Sequence, residues 1–178
     1  VNENPAFAAA NVAVNVAENT TAVTTVQATD PDGGTGLAYS ISGGADVALF
    51  QIDAATGALS FKAAPNFEAP GNAGGNNVYD VVVRASDGSL FADQAVAVTV
   101  NNVNEAPVFG AGALAVAAFE NETAVTTVFA SDPDAGTTLS FSISGGADAA
   151  LFTIDATTGA LSFKNARSEE HTSELQSH

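Results

Sequence analysis

Cysteine, tryptophan and methionine are absent from this chain, and only four of its 178 residues are basic. Without cysteine there is no disulfide framework, no thiolate nucleophile and no sulfur metal site. Histidine occurs only at His171 and His178, within the last 12 residues, so a histidine-dependent catalytic triad has no material in the body of the chain. No apolar run approaches the roughly 18–20 residues of a membrane helix, so this stretch is not expected to insert directly into a membrane. The four bases, Lys62, Arg84, Lys164 and Arg167, face 20 acids, for a net charge of −16. That balance repels nucleic acid and anionic lipid and removes both from the candidate partners.

Alanine, valine and 11 phenylalanines make up most of the 46% hydrophobic content, enough to build a packed core. Valine, threonine and phenylalanine favour strands, and 16 glycines and 6 prolines punctuate the chain often.

The dominant pattern is a repeat. Shifted by 102 residues, the sequence matches itself at 43 of 62 positions without a gap, residues 1–62 against 103–164. VNENPAF aligns with VNEAPVF, and SISGGADVALFQIDAATGALSFK with SISGGADAALFTIDATTGALSFK. A period this long describes domains in series rather than a solenoid of short turns. The expected division is a linker at 1–6, a complete repeat at 7–103, a truncated repeat at 104–166 and a tail at 167–178. The second copy has no counterpart of Val78 to Val100, and is expected to be weakly stable by itself. The tail, RSEEHTSELQSH, resembles a translated sequencing adaptor and is set aside as artefact or disorder. Both chain ends read as cuts, the first inside a linker.

Seven short strands are expected in the first repeat: Val12–Val16, Ala22–Ala28, Leu37–Ser42, Leu49–Ile52, Ala58–Lys62, Val78–Ser86 and Gln94–Asn101. Tyr79, Val81, Val83 and Ala85 share one face, and Val96, Val98 and Val100 alternate likewise. Turn signals at DPDGG, SGG, ATG and SDG separate the strands. The pattern implies an all-β, seven-stranded Greek-key sandwich of immunoglobulin-like type, with every pairing antiparallel and a second, truncated copy. Residues 64–77 form the one long loop, expected to be mobile. Asp53 and Asp155 are expected to cap turn amides, Asp46 and Asp148 to be loop acids, and Asp80 to face Arg84 on a solvated strand face.

Clustered carboxylates repel one another unless a cation sits among them. With only oxygen donors to offer, calcium or magnesium fits better than zinc. Asp30-Pro31-Asp32 recurs as Asp132-Pro133-Asp134, with Glu18 recurring as Glu120 and the linker acid Glu3 as Glu105. With these motifs the chain resembles a bacterial cadherin-like tandem repeat, over the whole first repeat and the surviving part of the second.

The resemblance implies calcium as the cofactor and a set of ligands. Glu18 stands for the family's first acid, Asp30 and Asp32 for its DxD, Glu68 in Asn66-Phe67-Glu68 for its LDRE-like element, and Asp87 for its late acid. Asn102, Asn104 and Glu105 stand for the linker, and Asp132 and Asp134 for the DxD of the next repeat. Asn66 and Asn102 replace family aspartates, and the linker is one residue shorter. Calcium shared by adjoining repeats is then expected to stiffen each junction.

The expected function is a non-enzymatic calcium-binding adhesion module of a large surface or secreted protein, extracellular or at the cell surface. Its partners would be neighbouring repeats of the same chain and other cell-surface proteins or glycans. The alternative is a passive spacer in a secreted multidomain enzyme, such as a polysaccharide-degrading one.

Overall fold

The computed structural model describes residues 1–32, 36–110 and 115–168. The chain divides into two compact units, Val1–Val103 and Asn104–His178. Both are all-β; the helical turns among the described residues are two three-residue 3-10 turns, Val47–Leu49 and Ala149–Leu151.

The first unit has nine strands: β1 (Ala6–Phe7), β2 (Asn11–Ala17), β3 (Ala22–Thr25), β4 (Ala28–Thr29), β5 (Ala38–Gly43), β6 (Phe50–Ile52), β7 (Ala58–Phe61), β8 (Val78–Ser86) and β9 (Phe91–Asn101). One sheet runs β2-β9-β8-β5 and the other β3-β7-β6, with β1 and β4 paired at the side. The seven strands of the two sheets form the expected immunoglobulin-like sandwich, and the alternation seen in β8 and β9 is its cause. Every second residue points inward, and Tyr79, Val81, Val83, Val96, Val98 and Val100 are each no more than 2% exposed. Phe50 and Phe61 stack at 4.5 Å from the opposite sheet, and Tyr79 meets Phe61 edge-on at 5.1 Å.

Three details differ from the reading of the sequence. β2, the first strand expected from the sequence, pairs with β9 in parallel, Val12 beside Val96 and Val16 beside Val100. Hairpin turns enforce antiparallel neighbours only for strands consecutive in the chain, and β2 and β9 are far apart in it. The 64–77 loop is bonded rather than loose: buried Asn72 donates to the Val78 carbonyl and to Asn76 Oδ1, each at 2.8 Å. Arg84 faces Asp93 across the β8–β9 pair, with Nε–Oδ1 and Nη2–Oδ2 both 2.8 Å, and its guanidinium covers the Phe91 ring at 3.6 Å. Asp80 is not its partner.

In the second unit, β10 (Val108–Phe109) pairs with β12 (Ala130–Ser131). β11 (Ala124–Thr127), β14 (Ala160–Phe163) and β13 (Phe152–Ile154) form one three-stranded sheet. These repeat β1-β4 and β3-β7-β6 position for position. Residues 115–119 and 138–146 carry no strand, although their counterparts at 13–17 and 36–44 include most of β2 and all of β5. A strand of that sheet forms only against a partner, and the 178 residues hold a single copy of β8 and β9.

Candidate functional site

The candidate ligands of the first unit gather at its two ends. β8 runs antiparallel to β9, Val78 beside Thr99 and Ser86 beside Phe91. Asp87, just past β8, therefore lies at the end opposite Asn102, just past β9.

At the Asp87 end three segments meet. Asn2 Nδ2 donates to Asp87 Oδ2 at 2.8 Å, and the Glu3 amide donates to Asp32 Oδ2. The Asp32 amide donates back to Asp30 Oδ1 at 2.9 Å, closing the Asp-Pro-Asp turn. Asp87 Oδ1 accepts the Leu90 and Ser89 amides at 2.7 and 2.6 Å. Those bonds, with the one from Asn2, hold its carboxyl below the ordinary aspartate range. Asp87 is thus held in place by backbone amides at the same end as the Asp30–Asp32 turn.

At the other end Glu18 is 1% exposed, an unusual place for a carboxylate. Its oxygens accept the Phe67 and Val103 amides, each at 2.8 Å, while its own amide donates to the Asn101 carbonyl. Asn19, next in the chain, takes φ 61°, a left-handed conformation that asparagine tolerates. One carboxylate oxygen of Glu68 lies within 4.8 Å of one of Glu18, and Asn102 Nδ2 donates to Glu68 Oε1 at 2.9 Å. Asn66 turns its side chain onto the Ala69 amide at 3.0 Å.

The second unit repeats the first arrangement. The Glu105 amide donates to Asp134 Oδ2 at 2.7 Å, and the Asp134 amide to Asp132 Oδ1 at 2.9 Å. Asn104 Nδ2 reaches the Glu105 carbonyl at 3.1 Å. Glu120, the counterpart of Glu18, is exposed.

Of the ten candidate ligands, the structure thus places Asp30, Asp32 and Asp87 together, Glu18, Glu68 and Asn102 together, and Asn104, Glu105, Asp132 and Asp134 together. Asp53 and Asp155 do cap turns: each Oδ1 accepts two amides and a threonine hydroxyl.

Asp46 has a role that its sequence context conceals. It is 4% exposed and clamps two distant segments, accepting the Ala73 amide at 2.7 Å and the Asp80 amide at 2.8 Å. Its Gly-Gly-Ala-Asp setting is that of an ordinary loop, and nothing local signals the clamp.

The cadherin domain model matches residues 12–102. Human protocadherin Fat 4 is 32% identical over 189 aligned positions, covering 99% of this chain and 4% of that protein. Protocadherin-16 of Rattus norvegicus is 33% identical over 190, covering 97% of this chain and 6% of that protein. The chain thus spans a small fraction of these relatives' length. Among solved structures, human protocadherin-24 EC1-2 superposes with a TM-score of 0.60 at 24% identity, over 92% of this chain and 78% of that one. Extracellular cadherin domains 3–6 of protocadherin gamma B2 give 0.52 at 26%, over 93% and 44%.

Proposed function

Because the chain belongs to the cadherin family, we propose that it is a calcium-binding adhesion module of a larger extracellular protein, of the bacterial cadherin-like kind, and not an enzyme. The observation that carries this reading is the duplicated ligand frame: Glu3-Asp32-Asp30 in one unit and Glu105-Asp134-Asp132 in the other, closed by the same hydrogen bonds. The donors fit calcium. They are all carboxylate, amide or carbonyl oxygens, and the described residues include neither histidine nor cysteine.

Glu18, Glu68 and Asn102 would serve one end of the first unit. Asp30, Asp32 and Asp87 would serve the other, and Asn104, Glu105, Asp132 and Asp134 the start of the second. Calcium supplies positive charge that offsets the repulsion between neighbouring carboxylates. The chain's own part is to hold those oxygens in place beforehand, through the backbone amides of Phe67, Val103, Ser89 and Leu90. Consecutive ligands across residues 102–105 would tie successive units together and stiffen the junction, presenting the chain to other cell-surface proteins or glycans.

The test is thermal unfolding of the full chain in EGTA and in millimolar calcium, followed by tyrosine fluorescence. Both tyrosines, Tyr39 and Tyr79, belong to the first unit. Extracellular modules bind calcium at about 10⁻⁴–10⁻³ M. At ten times Kd one site adds about 1.4 kcal/mol, a rise of roughly 6–11 °C for a domain of about 100 residues. An unchanged midpoint and an unchanged sedimentation coefficient would remove the calcium reading. Calcium-dependent clustering of beads coated with the chain separates adhesion from the spacer reading, which shares the metal but expects no clustering.

A further inference from the structure

Of all the asparagines in the chain, Asn19 and Asn121 alone are followed two places on by serine or threonine with no proline between: Asn19-Thr20-Thr21 and Asn121-Glu122-Thr123. The two triplets lie 102 residues apart, at the same place in the repeat, and all six residues are exposed. The turn itself accounts for the asparagine. Asn19 and Asn121 take φ 61° and 59°, the left-handed region that asparagine enters at low cost. The Asn19 amide donates to the Pro65 carbonyl at 2.9 Å, and the Asn121 amide to the Arg167 carbonyl at 2.7 Å. Both asparagines are therefore presented from one turn, tied by the same bond in each unit.

The turn does not account for the threonine. The Thr21 and Thr123 carbonyls accept the Phe61 and Phe163 amides at 2.8 and 2.7 Å, bonds that a carbonyl of any residue could make. Among the described residues the hydroxyls of Thr21 and Thr123 bond to nothing. The middle position behaves in the opposite way. Thr20 does have a structural bond, its hydroxyl donating to the Ala17 carbonyl at 2.7 Å, yet its counterpart is Glu122. Between the two copies, the side chain with a bond is exchanged and the one without a bond is kept. That asymmetry is what a glycan acceptor requires: asparagine, then any residue but proline, then serine or threonine, on an exposed loop.

We propose that Asn19 and Asn121 are acceptor sites for an N-linked oligosaccharide. The donor is a lipid-pyrophosphate-linked sugar and the catalyst an oligosaccharyltransferase. A bond forms between asparagine Nδ2 and the sugar C1, and the bond from C1 to the pyrophosphate oxygen breaks. The lipid pyrophosphate leaves with the bonding electrons, and Nδ2 gives up one proton. This chemistry belongs to secreted chains, so the inference rests on the extracellular reading proposed above. An exposed turn takes a bulky, hydrophilic chain without opening the sandwich. In the first unit the sugar would project from the turn after β2, next in the chain to Glu18.

The test expresses the full chain behind a cleavable secretion signal in a eukaryotic host. Glycopeptide mass spectrometry reads each site before and after peptide-N-glycosidase, which leaves aspartate wherever it removes a glycan. Glycan is expected at Asn19 and Asn121 and at no other asparagine. Thr21→Ser is expected to keep Asn19 occupied. Thr21→Val, of nearly the same shape, is expected to lower occupancy at Asn19 at least tenfold while Asn121 stays occupied. Neither variant replaces Asn19, so the left-handed turn is left alone. A secreted chain that is bare at both asparagines, or Thr21→Val occupied as fully as the parent, overturns the assignment; a chain bare at one removes that site. Because the signal itself delivers the chain to the transferase, a bare product counts against the sites and not against the extracellular reading. The calcium reading is judged apart from both, by repeating the unfolding in EGTA and calcium on the deglycosylated chain.

Discussion

The duplication supplies its own control for what Asp46 does. Asp46→Ala removes a carboxylate that satisfies two backbone amides, those of Ala73 and Asp80, in a site 4% exposed. Each orphaned buried donor costs about 1–3 kcal/mol, so the expected loss for two is about 2–6 kcal/mol. For a domain of about 100 residues that lowers the melting point by roughly 8 °C at the least. Asp148→Ala deletes the same side chain from the same Gly-Gly-Ala-Asp context, exposed and without those amides, and is expected to change stability by no more than about 0.5 kcal/mol. Urea unfolding followed by tyrosine fluorescence reads the first unit alone, because both tyrosines lie there. Amide exchange of the β11–β14 pair reads the second. If Asp46→Ala costs less than about 1 kcal/mol, or Asp148→Ala costs as much, the clamp is not what orders the 64–77 loop against β8.

Two further outcomes follow from the charges. Arg84 and Asp93 form an exposed bidentate pair, so Arg84→Ala is expected to lower the urea midpoint only slightly, and by less still in 1 M NaCl; a large, salt-insensitive loss would contradict a screened surface pair. Asp87 has its carboxyl pulled below the ordinary value of 3.8 by the Leu90, Ser89 and Asn2 hydrogen bonds, so its stabilisation is whole above that value and fades as pH falls through the lowered one. The Ser89 and Leu90 amide shifts should therefore stay constant down to about pH 4 and move only below it; movement centred above pH 4 would refute the assignment.

Much of the sandwich is legible residue by residue because burial has a period of two. The alternation from Tyr79 to Ala85 and from Val96 to Val100 reads directly as an inward face. Turns are legible too, since Asp53 needs only Ala55 and Thr56 to act as a cap. What stays hidden is whatever depends on distant chain. The parallel pairing of β2 with β9 joins segments about 80 residues apart, and no local pattern encodes direction. Arg84 selects Asp93 because the β8–β9 register sets them opposite each other, while Asp80 lies four residues away along its own strand. Asp46 is hidden for the same reason, its partners being 27 and 34 residues away.

The same logic governs the candidate ligands. Asp30 with Asp32 and Asp132 with Asp134 close within a single turn, so both copies build them alike whatever the rest of the unit does. Glu18 is different. Its carboxylate is held by amides 49 and 85 residues away, whereas Glu120, with the same Glu-Asn context, is exposed. A ligand made by a turn is inherited with the motif, whereas one made by tertiary contact is inherited only with the whole sandwich. Because a preorganised donor binds more tightly than one that must be ordered on binding, the contribution of each acid to cation affinity follows from which of the two kinds it is, and matching motifs alone do not rank them.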